Sequence, residues 1–127
     1  MATSIINPSI RANNPVLLRI KEYPANTNLE DATDLLVASS DLDQYRFIVL
    51  VYGPTDGYSQ KHMILNSQIV RITGCGCTLT SGVISGSAYS SEYFININAA
   101  YISSAIYAKR VKTGSNQSAK IRVYGLN

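Results

Sequence analysis

The sequence predicts an all-β chain, an antiparallel β-sandwich of jelly-roll-like build with about eight strands. Three observations lead there. Phe47 to Tyr52 is an unbroken apolar and aromatic run closed by Gly53-Pro54, the length of a strand and too short for an ordinary helix. Apolar runs then recur roughly every 8–12 residues, separated by clusters of Gly, Pro, Asn, Asp and Ser. Several of them alternate with period two, most cleanly Lys120-Ile121-Arg122-Val123-Tyr124-Gly125-Leu126 at the end, as a strand with one buried face must. At 127 residues the length fits one domain, divided into an extended arm over 1–15 and a sandwich over 16–127.

In the arm, Asn7-Pro8 and Asn13-Asn14-Pro15 favour extended backbone. Ile5 and Ile6 are apolar for a solvated tail and suit docking on a neighbour or a sheet edge; the alternative is a disordered terminus. Val16 to Glu22 reads as a half-buried first strand, with Leu18 and Ile20 set against Arg19 and Lys21. Tyr23 to Asn28 is turn chemistry. Leu29 to Ser40 is ambiguous. Leu29, Ala32, Leu35 and Leu36 have helical spacing, yet Asp34 to Val37 followed by the turn Ala38-Ser39-Ser40-Asp41 is the preferred reading.

Phe47–Tyr52 organises the rest. In a strand Phe47, Val49 and Val51 face one way and Ile48, Leu50 and Tyr52 the other. Both faces are apolar and both require cover, from a second layer or another subunit. Thr55-Asp56-Gly57 then reads as a hairpin loop returning through Tyr58 to Leu65. A further strand over Gln68–Thr73 is expected, interrupted at Gly74-Cys75-Gly76-Cys77. Strands over Thr78–Ile84, Tyr89–Ile97 and Tyr101–Val111 follow, and Thr113 to Ser118 is read as a polar hairpin loop before the last strand.

Charged residues make up 15% of the chain and hydrophobic ones 46%, with nine Tyr and no Trp. So little charge leaves the surface to Ser, Thr, Asn, Gln and Tyr, or hides part of it in an oligomer. Such surfaces suit neutral polar partners, sugars or proteins; the plainer reading is that Tyr favours strands. The net charge of +3 is unevenly spread. Residues 1–56 hold four basic and seven acidic side chains; residues 57–127 hold seven basic ones and Glu92 alone. This asymmetry favours contacts between subunits as readily as an anionic ligand. The N-terminus lacks a basic leader and apolar core, no stretch has the length of a membrane span, and synthesis in cytoplasm without membrane insertion is expected.

Catalysis finds no support. His62 is the only histidine and reads as a surface or partly buried strand residue; a small hydrolase built on it is the remaining enzymatic reading. No Gly-x-Ser-x-Gly or phosphate-cradling loop occurs, and Asp41 and Asp43 lie in an ordinary turn. Cys75 and Cys77 are two ligands where a structural zinc needs four, so buried free thiols are expected, with no metal or cofactor. Lys109, Arg110 and Lys112 would face Lys120 and Arg122 across the loop at 113–118 if the last two strands form a hairpin. Such a patch suits an anionic polymer, or protects an edge strand from pairing; with only Tyr107 and Tyr124 nearby, nucleic acid is the less favoured partner. Contact loops are expected at Pro54–Tyr58, Ser85–Ser91 and Thr113–Ser118, with Asp56, Tyr58, Tyr89 and Asn116 as their candidate contact residues.

Two short pieces carry a resemblance. Leu42-Asp43-Gln44-Tyr45-Arg46-Phe47-Ile48-Val49-Leu50-Val51-Tyr52-Gly53, preceded by Leu35 to Asp41, and the ending Ile121-Arg122-Val123-Tyr124-Gly125-Leu126-Asn127 resemble the small β-sandwich modules at the ends of bacteriophage tail-fibre and other minor virion proteins. The likeness spans residues 35–127 loosely. It implies a virion structural protein, non-enzymatic and commonly trimeric, that contacts itself, other virion proteins, or a host-surface glycan or receptor. A head or capsid accessory role and a free-standing carbohydrate-binding domain are the alternatives. No residue-level site follows from the resemblance.

Overall fold

The computed structural model describes residues 14–31, 33–55, 60–85, 88–115 and 118–127, with the side chains of 82–85 and 88–94 outside the description. Two antiparallel sheets face each other. The first has strands β1 (Val16–Tyr23), β9 (Ala119–Leu126), β4 (Phe47–Pro54) and β5 (Lys61–Asn66), in that lateral order. The second runs β2 (Asn28–Leu29), β8 (Ala105–Thr113), β7 (Ala88–Ile102) and β6 (Gly76–Ser85), with β3 (Asp34–Val37) also pairing β8. The all-β sandwich expected from the sequence is what forms. The arm's residues 1–13 lie outside the described residues.

The core draws one side of each strand. Ile48, Leu50 and Tyr52 of β4 and Ile121 and Val123 of β9 meet Leu79, Ile95, Ile97, Ile106 and Val111 of the opposite sheet, all buried. Each fully buried Ile or Leu contributes roughly 1.5–3 kcal/mol relative to an exposed one. β4 is central in its sheet, paired to β5 and β9 without a break in register. Only its inner flank is fully covered, however. Phe47, Val49 and Val51 stay half-buried, so shelter on both sides, as expected from the sequence, is met on one side within a single chain.

Two connections are helical where the sequence suggested otherwise. The expected strand over Gln68–Thr73 is a helix, α2 (Ser67–Thr73). Its burial has helical spacing: Ser67 and Val70, three apart, are buried while Ile69 and Ile72 are exposed. Asn66 Oδ1 accepts the Ile69 N–H at 3.2 Å, and Gly74 ends the helix at φ 78°, its N–H bound to Val70 O. The segment must carry the chain from one sheet to the other, and that tertiary task overrides the β-propensity of its branched residues. The turn expected around Ala38–Asp41 opens a second short helix, α1 (Ser39–Gln44). Asp41 Oδ2 accepts the Ala38 N–H at 3.0 Å and so closes its first turn. Further on, β7 continues unbroken to Ile102, where Ser103 and Ser104 take positive φ and turn the chain into β8. The break expected between Ile97 and Tyr101 therefore falls four or five residues later, with Tyr101 and Ile102 belonging to the earlier strand, while Ser85–Ser91, expected as a loop, is mostly strand.

From Arg19 onward β1 is inverted relative to its apparent pattern, while Leu18 packs against the core as expected. A bulge between Leu17 and Arg19 shifts the register. Arg19, Lys21 and Tyr23 then lie opposite the buried Val123, Ile121 and Ala119, on the inner side, and Leu17 and Ile20 lie outside. Two polar contacts hold this arrangement. Arg19 donates to Leu36 O at 2.8 Å and to Asp41 Oδ2 at 3.3 Å, and the Tyr23 hydroxyl donates to Asp34 Oδ2 at 2.9 Å. Burial and the neighbouring carboxylate keep the Tyr23 phenol protonated well above its usual range.

Candidate functional site

The sandwich presents two outer faces of different chemistry. On the four-stranded sheet, directly paired residues form rows across all strands. Leu17, Tyr124, Val49 and Ile64 make one row; Ile20, Arg122, Val51 and His62 make the next; Leu126, Phe47 and Asn66 flank the first on its other side. Leu17 is 49% exposed, Ile20 48% and Ile64 58%. Single exposed apolar residues are ordinary. Here Leu17, Ile20 and Ile64 are joined across the sheet by the half-buried Tyr124, Val49 and Val51 into one apolar field, larger than scattered single residues make. The field is bounded at one corner by the Lys120–Glu22 ion pair at 2.9 Å.

The five-stranded sheet is the reverse. Asn28, Lys112, Asn96 and Thr80 form a row across four strands, with Arg110, Asn98 and Thr78 beside it. Thr78 donates to Asn98 Oδ1 at 3.3 Å. A shallow cleft of about 270 Å³ lies here, lined by Asn28, Glu30, Asn96, Asn98, Arg110 and Lys112. Amides and a guanidinium fixed on strands can recognise hydroxyls and carboxylates by directed hydrogen bonds.

These positions correct the expected cationic patch. β8 and β9 belong to different sheets, so the segment between them is a crossover and no hairpin forms. Arg110 and Lys112 lie on the outer side of one sheet, Lys120 and Arg122 on the outer side of the other, and half-buried Lys109 falls at the register shift opposite Asn98 and Ala99. The five cations therefore do not share a surface. The crossover is tied at both ends. The Thr113 hydroxyl donates to Pro24 O at 2.7 Å and accepts the Thr27 N–H at 2.9 Å, Asn26 N–H reaches Gly114 O, and Thr55 N–H reaches Ser118 O. A polar loop of this length serves a hairpin or a sheet change equally, so no local signal in the sequence separates the two.

Of the loop residues singled out, Asp56, Tyr58 and Asn116 lie outside the described residues; Tyr89 sits in β7 opposite Ile84, its side chain likewise outside them. His62 is exposed on β5. Cys75 and Cys77 are free, with Sγ atoms 3.8 Å apart, and half-buried where full burial was expected. Burial, reinforced by Cys75, pushes the Cys77 thiol up to about 12. No group of three metal-ligating side chains occurs among the described residues, and none of their helices is long and apolar enough to cross a membrane. A second open cleft, about 290 Å³, lies between α1 and α2, where Arg71 pairs with Asp43.

No family model, curated protein or solved structure matches the chain.

Proposed function

We propose that this chain is a structural module without catalytic function, of the virion kind implied by the tail-fibre resemblance, that assembles with copies of itself through the outer face of its four-stranded sheet. The observation that carries this reading is the apolar field led by Leu17, Tyr124, Val49 and Ile64. β1 strengthens it. That strand turns Arg19 and Lys21 inward and Leu17 and Ile20 outward, which costs stability in an isolated sandwich unless the outer side is covered. The half-buried flank of β4 has the same need. Light scattering of the purified protein is expected to give a mass above the 13.8 kDa of one chain. Val49→Asp is expected to lower that mass with its strand content intact; a wild-type protein that stays at single-chain mass at working concentration overturns the reading.

A second reading rests on the opposite face. The cleft lined by Asn96, Asn98, Arg110 and Lys112 favours attachment to a host-surface glycan, in the virion or as a free carbohydrate-binding domain. A glycan array probes it directly: selective binding lost in Arg110→Gln supports attachment, and uniform silence removes it.

A further inference from the structure

A β-sandwich has lateral edges, and each exposed edge is a template for further strand pairing unless something blocks it. Three of the edges here carry a block. β1 has its bulge at Leu17/Arg19 and two inward cations. β6 shifts register between Gly82 and Ile84. The remaining edge of the five-stranded sheet is split into β2, two residues long, and β3, four residues long with a register shift of its own. β5 differs. Its six residues Lys61-His62-Met63-Ile64-Leu65-Asn66 hold unbroken register with β4 from Lys61↔Tyr52 to Asn66↔Phe47. It contains no Pro, Gly or bulge, and no described strand pairs with its far side. Met63 and Leu65 face inward, packed on the core yet only half-buried, and Ile64 faces out.

We infer that β5 pairs antiparallel with β5 of a second copy about a twofold axis, with Ile64 opposite the partner's Ile64. The register follows from side-chain parity. Directly opposed residues share a face of the sheet, so a strand that pairs with itself must place its axis through a residue and never between two. An axis at Met63 sets Lys61 against the partner's Leu65 and His62 against the partner's Ile64, mixing charged or polar with apolar side chains. An axis at Ile64 sets Met63 against the partner's Leu65 and His62 against the partner's Asn66. It also brings the row Leu17–Tyr124–Val49–Ile64 into line with its own copy, so the apolar field continues across the joined sheets. The half-covered inner edge at Met63 and Leu65 closes in the same step. The pairing is twofold, in contrast to the threefold assembly the tail-fibre resemblance implies.

This inference rests on the proposal that the chain self-assembles, and cysteine cross-linking separates the two. Directly opposed strand residues have Cβ atoms about 4.5–5.5 Å apart, near enough for a disulfide after small adjustment. With copper–phenanthroline as oxidant, Ile64→Cys is expected to form a covalent dimer at least about tenfold faster than wild-type protein, whose Cys75 and Cys77 give the background. His62→Cys alone is expected to stay at background and to cross-link when mixed with Asn66→Cys. Ile64→Lys, at an exposed site that tolerates it, is expected to keep the thermal transition of the single chain and to weaken association by about tenfold or more. An oligomer in which Ile64→Cys links no faster than wild type, or His62→Cys alone links as fast, overturns the β5 pairing and leaves self-assembly standing. A wild-type protein of single-chain mass overturns both.

Discussion

On the outer side of the four-stranded sheet stand Leu17, Tyr124, Val49 and Ile64; on the outer side of the five-stranded sheet stand Asn28, Lys112, Asn96 and Thr80. Both rows cross four strands, and both belong to sheets whose inner sides supply the buried core. Folding explains the inner halves. It does not explain why one outer half is greasy and the other polar, since either would leave the sandwich intact. Under the proposed assembly the outer residues answer to what lies beyond the chain: protein surface for the first face, water or a polar ligand for the second.

The largest expected effect separates the two sides of β4. Leu50→Ala removes fully buried volume and is expected to cost about 2–5 kcal/mol, equally at low and high protein concentration. Val49→Ala, one residue away on the outer flank, is expected to cost about 1 kcal/mol or less in dilute protein. Its cost should grow as concentration rises, because an assembly that covers Val49 is linked to folding by mass action. Denaturant titrations of both variants at two protein concentrations measure this, and a concentration-independent Val49→Ala breaks the comparison.

Next in size is the device that turns β1 inside out. Asp41 accepts both the Ala38 N–H and Arg19. Asp41→Ala is expected to destabilise by about 1–3 kcal/mol, leaving Arg19 inward with Leu36 O as its remaining named partner. Calorimetry of Asp41→Ala beside Arg19→Met tests the link: the two losses should overlap, and full additivity would show that the pair does not act as a unit.

Smaller still is the polar face. Arg110→Gln and Asn98→Ala are expected to change stability by no more than about 0.5 kcal/mol and to leave the mass of the assembly unchanged. A variant on this face that dissolves the assembly would erase the distinction between the two faces.

The smallest effect belongs to Cys77. Its thiol ionises at about 12 in the folded chain against an ordinary value of 9.0. A raised folded pKa means the neutral form is favoured by folding. The contribution is therefore complete below pH 9 and lost as pH climbs from 9 towards 12. Alkylation by iodoacetamide should be slow at neutral pH, and Cys77→Ala should flatten the alkaline fall in stability. A Cys77 alkylated at neutral pH as fast as a free thiol contradicts this burial.

Much of the architecture is legible in the residues themselves. The run from Phe47 to Tyr52 declares a central strand, Asn, Gly and Ser clusters mark most of its neighbours' ends, and the two sets of alternating residues in β4 and β9 follow from spacing alone. Alternation fixes which residues share a side; it carries no information about which side is the core. Only packing decided that, and in β1 it chose the set containing Arg19 and Lys21, because Asp41 and Leu36 O wait on the inner side to receive the guanidinium. Sheet membership is equally non-local. A short polar link between β8 and β9 permits pairing or crossing, and the contacts at Pro24, Thr27 and Thr55 that settle it come from distant parts of the chain. Gln68 to Thr73 became helical for the same reason: its place between the sheets outweighed the preference of Ile69, Val70 and Ile72 for a strand.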